Sequence, residues 1–266
     1  MTPSTTNANK KARLPIWAVL FWLLVWQLAA WWVAEPILLV SPIAALARLF
    51  ELAGQAAFWR AVGFSVGRIL LGFALSAVSA IVLAALSYRF RRVRELCMPL
   101  IAAVKAIPVA SFVILALLWV SSRNLSVLIS LLIGLPVVYT NALTGLDSTD
   151  PGLIEMARVF RVPFARQLRF IYLYQVLPFL RSGLAVAMGL CWKSGIAAEV
   201  IGIPGGSIGE KLYKAKIYLE TPDLFCWTLV VVLLSILCEK LLALCMNGVM
   251  RGGLSDAGSG KAVQGF

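Results

Sequence analysis

The chain of 266 residues contains no histidine. That removes the side chain most used for proton transfer near neutral pH and the commonest metal ligand. Five cysteines (Cys97, Cys191, Cys226, Cys238 and Cys245) lie apart, in or beside apolar runs, with no CxxC pair. They read as small apolar residues, and no metal site is expected. Charge is scarce at 14% of residues, against about a quarter in soluble domains. Only twelve residues are acidic, with no clustered carboxylates and no activated-nucleophile pattern, so no catalytic residues are expected. A G-x-x-x-x-G-K-[ST] phosphate loop is also missing, so any ATP chemistry belongs to a partner chain.

What the chain has instead is apolar residue, 61% of the total, with a mean hydropathy of +0.90. These residues gather into runs of about 20, the length that spans a hydrocarbon core of about 30 Å. Lipid offers backbone groups no partners, so the spans are expected to be helices, and the period-2 alternation of a β-barrel is absent. The expected fold class is therefore all-α, a polytopic membrane protein with six transmembrane helices. The net charge of +12 does not indicate nucleic acid, because the basic residues sit in short loops beside spans and no separate soluble stretch exists to bind it.

The spans read as Ile16 to Val33, Arg68 to Leu86, Leu96 to Val120, a fourth containing Gly134 and Pro136, a fifth from Val176, and a sixth from Leu224 to Met246. The first is long for a signal peptide, ends in tryptophans and has no A-x-A site, which predicts an uncleaved anchor. Within Glu35 to Arg60, Ile43, Leu46, Phe50 and Ala53 recur at helical spacing opposite Arg48, Glu51 and Gln55, predicting a helix lying at the interface. Residues 1–15 form an amino-terminal tail, 16–250 the membrane domain, and 251–266 a flexible Gly/Ser-rich tail.

Six crossings put both ends on one side. That side carries Lys10, Lys11, Arg13, Arg89, Arg91, Arg92, Arg94, Arg158, Arg161, Arg166, Arg169, Arg251 and Lys261. The other carries Arg48, Arg60, Arg123, Lys211, Lys214 and Lys216, so the positive-inside rule assigns the first group and both termini to the cytoplasm. The segment 147–175 is then a cytoplasmic loop longer than a turn requires. One of Asp147, Ser148, Thr149 or Asp150 is expected to cap a helix that starts with Pro151. Leu153, Met156, Val159 and Phe160 give that helix an apolar face, and Pro163 stops it after two to three turns. A solvated connector has no need of such a face, so a docking surface for a soluble partner is expected.

In this loop the chain resembles the permease subunits of bacterial ABC importers, whose signature reads E-A-A, three residues, G, about nine residues, I, one residue, L-P. Glu155, Met156 and Ala157 stand at E-A-A, and Ile171 and Leu173 at the later apolar positions. Met156 replaces an alanine, Arg161 stands where the glycine belongs, and Tyr174 replaces the proline. The resemblance covers roughly Leu39 to Leu242. It includes Val40-Ser41-Pro42, Ser65, Arg68 and Gly72, Val104 to Pro108 followed by Leu118-Trp119, and Ala197-Ala198-Glu199 with Gly202. This ordered set is similar to the nitrate/sulfonate/taurine branch, of the type I importer architecture.

The resemblance implies an inner-membrane permease homodimer with two cytoplasmic ATPase subunits, fed by an extracytoplasmic solute-binding protein. ATP and Mg²⁺ would be held by the ATPase. Glu155, Met156, Ala157, Arg158, Phe160 and Arg161 would contact it, and Arg161 at the glycine position makes Pro163 an alternative source of the turn. The solute would be small, an anion such as nitrate, a sulfonate or a taurine-like compound, although neutral vitamin precursors also belong to the branch.

Ionisable residues in spans point to function. Lys105 is placed either to attract an anion or to snorkel to headgroups. Lys193 and Glu199 sit about 120° apart on one helix, so each is expected to meet other helices. Trp192, Lys193 and Ser194 are expected to line the pathway, with Glu199 a structural or gating contact, while Glu239 and Lys240 read as interfacial near the end of the sixth span. The alternative function is an ion-gradient-driven secondary transporter, which more often shows repeated broken helices with buried acids.

Overall fold

The structure, a computed structural model, describes residues 15–258 apart from Pro36, with side chains through Gly248. Every regular element described is helical. They are α1 (Ile16–Val33), α2 (Pro42–Ala53), α3 (Ala56–Arg89), α4 (Arg91–Ala106), α5 (Val109–Ala116), α6 (Ser122–Asp147), α7 (Pro151–Val159), α8 (Phe164–Gln167), a π-helical turn (Leu168–Tyr172), α9 (Leu173–Gly202), α10 (Ile208–Ile217) and α11 (Thr221–Gly258). Five of these are long and apolar enough to cross a membrane when α8, the π turn and α9 are taken as one rod, Phe164–Gly202.

The core is a sandwich of α3, α6 and α9. Along α3 and α6, Arg68 hydrogen-bonds Asn124, Gly72 packs on Val127 and Ser130, and the Tyr139 hydroxyl donates to Ser87 Oγ at 3.0 Å. Residue numbers rise together, so α3 and α6 run parallel. Against α9 they fall: Leu125 meets Gly202, Ser130 Oγ donates to the Cys191 carbonyl at 3.2 Å, and Gly145 meets Val176. Two consecutive spans can be parallel only if the chain between them crosses back. The α4–α5 segment therefore supplies one crossing, although it is not the single helix expected from Leu96 to Val120.

It bends by 102° between Ala106 and Val109. Pro108 has no N–H to donate and crowds the residue before it. Ile107 accordingly adopts an extended ψ of 126° and the helix ends there. Pro99, Pro136 and Pro178 stay inside helices. The crossings thus number six, with the start of α1 and the end of α11 on one face. That face carries the α3–α4 junction and α7 with their arginines and is called the basic face below; the other is the far face.

Two further expectations are corrected. The fifth span does not begin at Val176, because the helical rod enters from Phe164. The carboxy-terminal tail is not irregular from residue 251, because α11 continues to Gly258; residues 259–266, like 1–14 of the expected amino-terminal tail, lie outside the described residues. Helix α2 forms as expected, with Ser41 Oγ accepting from Ala44 N at 3.2 Å and Pro42 in the first turn. Its Ile43, Leu46 and Phe50 are open, while Ala45 and Leu52 pack inward. Arg48 joins both carboxylate oxygens of Asp223, and Thr221 Oγ1 donates to the Ile37 carbonyl at 2.7 Å, so α2 rests on the start of α11. The Asp223 hydrogen bonds raise the Arg48 pKa further above its ordinary value. Exposed Trp31, Trp32, Trp59 and Trp119 ring the far-face ends of the spans, where aromatic residues mark a lipid–water boundary.

Candidate functional site

Helix α7 is built by its cap. Asp150 Oδ1 accepts from Gly152 N at 2.8 Å, and Pro151 pre-sets the first turn. The Gln175 side chain accepts from Asp150 N at 2.9 Å and ties the start of α7 to α9. Beside it, Arg94 makes a two-pronged bond to Asp147 at 2.9 and 3.2 Å, joining the start of α4 to the end of α6.

Ala157, at 1% exposure, is the residue that α7 turns to the bundle. Glu155, Met156, Arg158, Phe160 and Arg161 are all exposed, as are Leu153 and Val159. Exposure reaches 77% at Val159 and 73% at Phe160, so the apolar face expected from the spacing has no cover among the described residues.

The turn after α7 forms at Arg161, not at Pro163. Arg161 takes a φ of 50°, the left-handed conformation that glycine adopts freely. Arg161 N donates to the Arg158 carbonyl at 3.1 Å and Val162 N to the Ala157 carbonyl at 2.8 Å, the paired bonds of a Schellman cap. An arginine is thus held in a glycine's conformation, at a cost of about 1–2 kcal/mol. Pro163 then opens α8, and Gln167 Nε2 returns to the Val162 carbonyl at 2.7 Å. The π turn follows, with Tyr172 edge-on to Tyr88 of α3 at 6.0 Å. Such turns insert one extra residue and recur at functional sites, and nothing in the sequence pattern signals this one.

The expected pathway residues separate into two sets. Lys105 is exposed in the last turn of α4, beside the bend, and Lys193 is exposed on α9. Trp192, Ser194 and Glu199 are inside the bundle. Trp192 Nε1 donates to the Val231 carbonyl of α11 at 2.9 Å, and Ser194 Oγ to the Leu190 carbonyl at 2.8 Å.

Glu199 is fully buried. Its Oε2 accepts from Ser65 Oγ at 2.6 Å and from Gly209 N at 3.3 Å, while Ser65 Oγ accepts from Ile208 N at 2.9 Å. Gly209 lies so close to Glu199 that a Cβ there would overlap it. The S-x-x-R segment of α3 and the A-A-E segment of α9 therefore meet over the first turn of α10, which Ser207 caps through Glu210 N at 2.9 Å. Ser65, Ile208 and Gly209 were not singled out as partners of Glu199 by sequence, since only the fold brings them there.

On α10 itself, burial acts to raise the Glu210 carboxyl. Bonds from Lys214, at 2.6 Å, and from Gly206 N outweigh it, with the charges of Lys214 and Lys211 adding to them, and hold its pKa below the ordinary range. Lys214 is raised in return by the Glu210 bond.

Residues 76–251, from the second half of α3 through α11, match the pattern of a family described as binding-protein-dependent transport system inner membrane component. The taurine transport system permease protein TauC of Escherichia coli is 26% identical over 80% of this chain and 81% of its own length. The putative aliphatic sulfonates transport permease protein SsuC of Bacillus subtilis is 24% identical over 76% and 73%. The formylaminopyrimidine transport permease protein ThiX of Halalkalibacterium halodurans is 26% identical over 81% and 86%. The matched region holds α7, the Glu199 contact to α10 and the α6–α9 core, and this chain belongs to the family of binding-protein-dependent transport system inner membrane components.

Proposed function

We propose that this chain is the permease of an ABC importer in which α7 transmits the work of a separate ATPase to the spans, and that the solute is a small anion of the sulfonate type. The observation that carries the reading is the open face of α7. A capped helix with Val159 and Phe160 three-quarters exposed, on the basic face of a membrane protein, has a partner's groove as its natural cover. That face is cytoplasmic by its excess of arginine and lysine, which puts both termini there as well. Glu155, Met156, Arg158, Phe160 and Arg161 meet the ATPase, Ala157 anchors the helix to the bundle, and the ATPase holds ATP and Mg²⁺.

The solute class rests on Lys193 and on two relatives named for taurine and aliphatic sulfonates. Lys193 lies on the uncovered face of α9, where a second copy of the permease would close a passage. Lys105, at the bend of α4, would lead anions toward it. A solute-binding protein delivers from the far face, where Ile43, Leu46 and Phe50 of α2 and Lys214, Lys216 and Ile217 of α10 are exposed. No catalytic role is assigned to this chain.

Reconstitution of the permease with its ATPase and binding protein in proteoliposomes tests the reading. ATP-dependent uptake of ethanesulfonate, lost on Phe160→Asp with the permease still inserted, is expected. Uptake driven by an ion gradient without ATP would favour a secondary transporter instead.

A further inference from the structure

Where α1 ends and α2 begins on the far face, the chain leaves a cleft of about 490 Å³. Gln27, Trp31 and Glu35 line one side, Ser41 and Ala44 the other, and Pro222 at the start of α11 is also in the wall. None of these residues belongs to α7, to the Glu199 contact or to the α3–α6–α9 core. The cleft reaches below the surface, because Gln27 is six residues before Val33, about 9 Å at helical rise. Exposed Trp31 and Trp32 mark the lipid–water boundary at its mouth. The headgroup layer on each side of a bilayer is about 5–8 Å thick, so the cleft spans it and enters the hydrocarbon.

The two sides differ in polarity. Helix α1 closes with a left-handed Ala34, whose N–H donates to the Ala30 carbonyl at 3.2 Å. The carbonyls of Trp31, Trp32 and Val33 receive no backbone N–H among the described residues, which leaves the negative end of the helix open. Glu35 adds a full charge beside it, and among the described residues no cation pairs with its carboxylate. Gln27 Oε1 is buried without a donor, so this side accepts more hydrogen bonds than the described residues supply. Opposite it, α2 presents its first turn, the positive end of a twelve-residue helix. Ser41 Oγ accepts from Ala44 N there and keeps its own O–H to donate.

A ligand that suits both sides is a zwitterion, with an ammonium for the α1 side and a phosphate for the α2 side. A net anion does not suit the cleft, because Glu35 is the charged residue of the wall and Arg48 of α2 is already bonded to Asp223 and Glu51. A primary ammonium brings three N–H donors, whereas a quaternary one brings none. Leu20 and Leu24 lie seven and three residues before Gln27, on the same face of α1, and both are exposed. They extend the cleft as an apolar track toward the middle of the membrane.

We propose that this cleft binds a phosphatidylethanolamine-type lipid of the far leaflet. Its ammonium sits at Glu35 and the end of α1, its phosphate at Ser41 and the start of α2, and an acyl chain follows Leu24 and Leu20. Ala30 is the buried residue of α1, so the rest of the chain holds this helix by little of its surface. The bound lipid fastens α1 to α2, and through the Arg48–Asp223 bond of α2 to the start of α11.

The test supplies the detergent-purified full-length permease with equal amounts of phosphatidylethanolamine, phosphatidylcholine and phosphatidylglycerol of the same acyl chains. Native mass spectrometry then counts the lipid retained. Phosphatidylethanolamine is expected to be held several-fold better than the other two, Glu35→Gln to remove that preference and Glu35→Asp to keep most of it. Ala44→Phe, which fills the cleft from an exposed position on α2, is expected to lower retention. Equal retention of the three lipids by the unaltered permease would overturn the proposal, as would a preference that survives both Glu35→Gln and Ala44→Phe. In nanodiscs of phosphatidylcholine alone, Glu35→Gln and the unaltered permease should melt together, since no ion pair is lost. Adding phosphatidylethanolamine should raise the midpoint of the unaltered permease alone, and equal rises would remove Glu35 from the site. Soluble phosphoethanolamine at the same concentration is expected to leave the lipid in place; displacement by it would assign the cleft to a soluble zwitterion and overturn the lipid. Loss of binding-protein association in Glu35→Gln with lipid preference unchanged would assign the cleft to that protein instead.

Discussion

Ser65 of α3 and Glu199 of α9 share one proton bridge of 2.6 Å, and the same serine oxygen receives the Ile208 N–H that begins α10. Two spanning helices and a far-face helix are thereby fixed at a single buried point. Helix α10 also packs on α11, so it is held to the core by its first turn and to the outer part of the bundle along its length. A force applied to α10 reaches α3 and α9 without passing through a flexible loop.

Replacing Glu199 with alanine removes the acceptor for Ser65 and Gly209 and leaves buried donors unpaired, a loss of about 1–3 kcal/mol. Trypsin applied to nanodisc-held permease should then cut at Lys211, Lys214 or Lys216 well before it cuts the unaltered protein. Glu199→Gln keeps one acceptor oxygen and should fall between the two. Equal digestion of all three proteins would show that α10 is held some other way.

Arg161 occupies a left-handed position at φ 50°. Arg161→Gly relieves the strain of a side chain there and should stabilise the end of α7 by about 1 kcal/mol. The melting midpoint of the permease should rise slightly, and ATPase co-purification should persist. Arg161→Val, branched at Cβ, should do the opposite. A lower midpoint for the glycine variant would mean that the arginine side chain makes contacts worth more than the strain.

The exposed face of α7 predicts a separable effect on assembly. Truncating a central aromatic at an interface costs about 2 kcal/mol, so Phe160→Ala should weaken ATPase binding more than tenfold. Membrane insertion and the melting midpoint of the permease alone should not change, because Phe160 is 73% exposed in the single chain. A fall in the midpoint equal to that of a core substitution such as Ile69→Ala would place Phe160 inside the fold rather than at a partner.

How far the sequence could be read depended on how local each cause was. Helix α7 was legible because Asp150, Pro151 and the spacing from Leu153 to Phe160 all lie within eleven residues. The six crossings were legible because apolar length alone sets them. The break at Pro108 was not, because Pro99, Pro136 and Pro178 offer the same missing donor and remain helical; which one ends a helix depends on the packing around it. The partners of Glu199 were hidden because Ser65 is 134 residues away.

The Glu210–Lys214 pair on α10 makes stability depend on pH with a definite sign. Glu210 has its folded pKa lowered, so its contribution is complete above the ordinary carboxylate value of about 4.3 and disappears as pH falls through the lower folded value. Lys214 has its folded pKa raised, so its share is complete below about 10.4 and is lost as pH climbs through the higher folded value. Between those limits the pair contributes at a constant level, and Lys214 is so exposed that the level is small. The melting midpoint of Glu210→Gln should therefore lie below that of the unaltered permease from pH 5 to pH 9, and the two should converge below about pH 4. High salt should narrow the gap by screening the ion pair, while the bond from Gly206 N to Glu210 at 2.6 Å keeps part of it. A gap that widens on acidification would mean that Glu210 is held protonated, with burial outweighing its lysine and backbone partners.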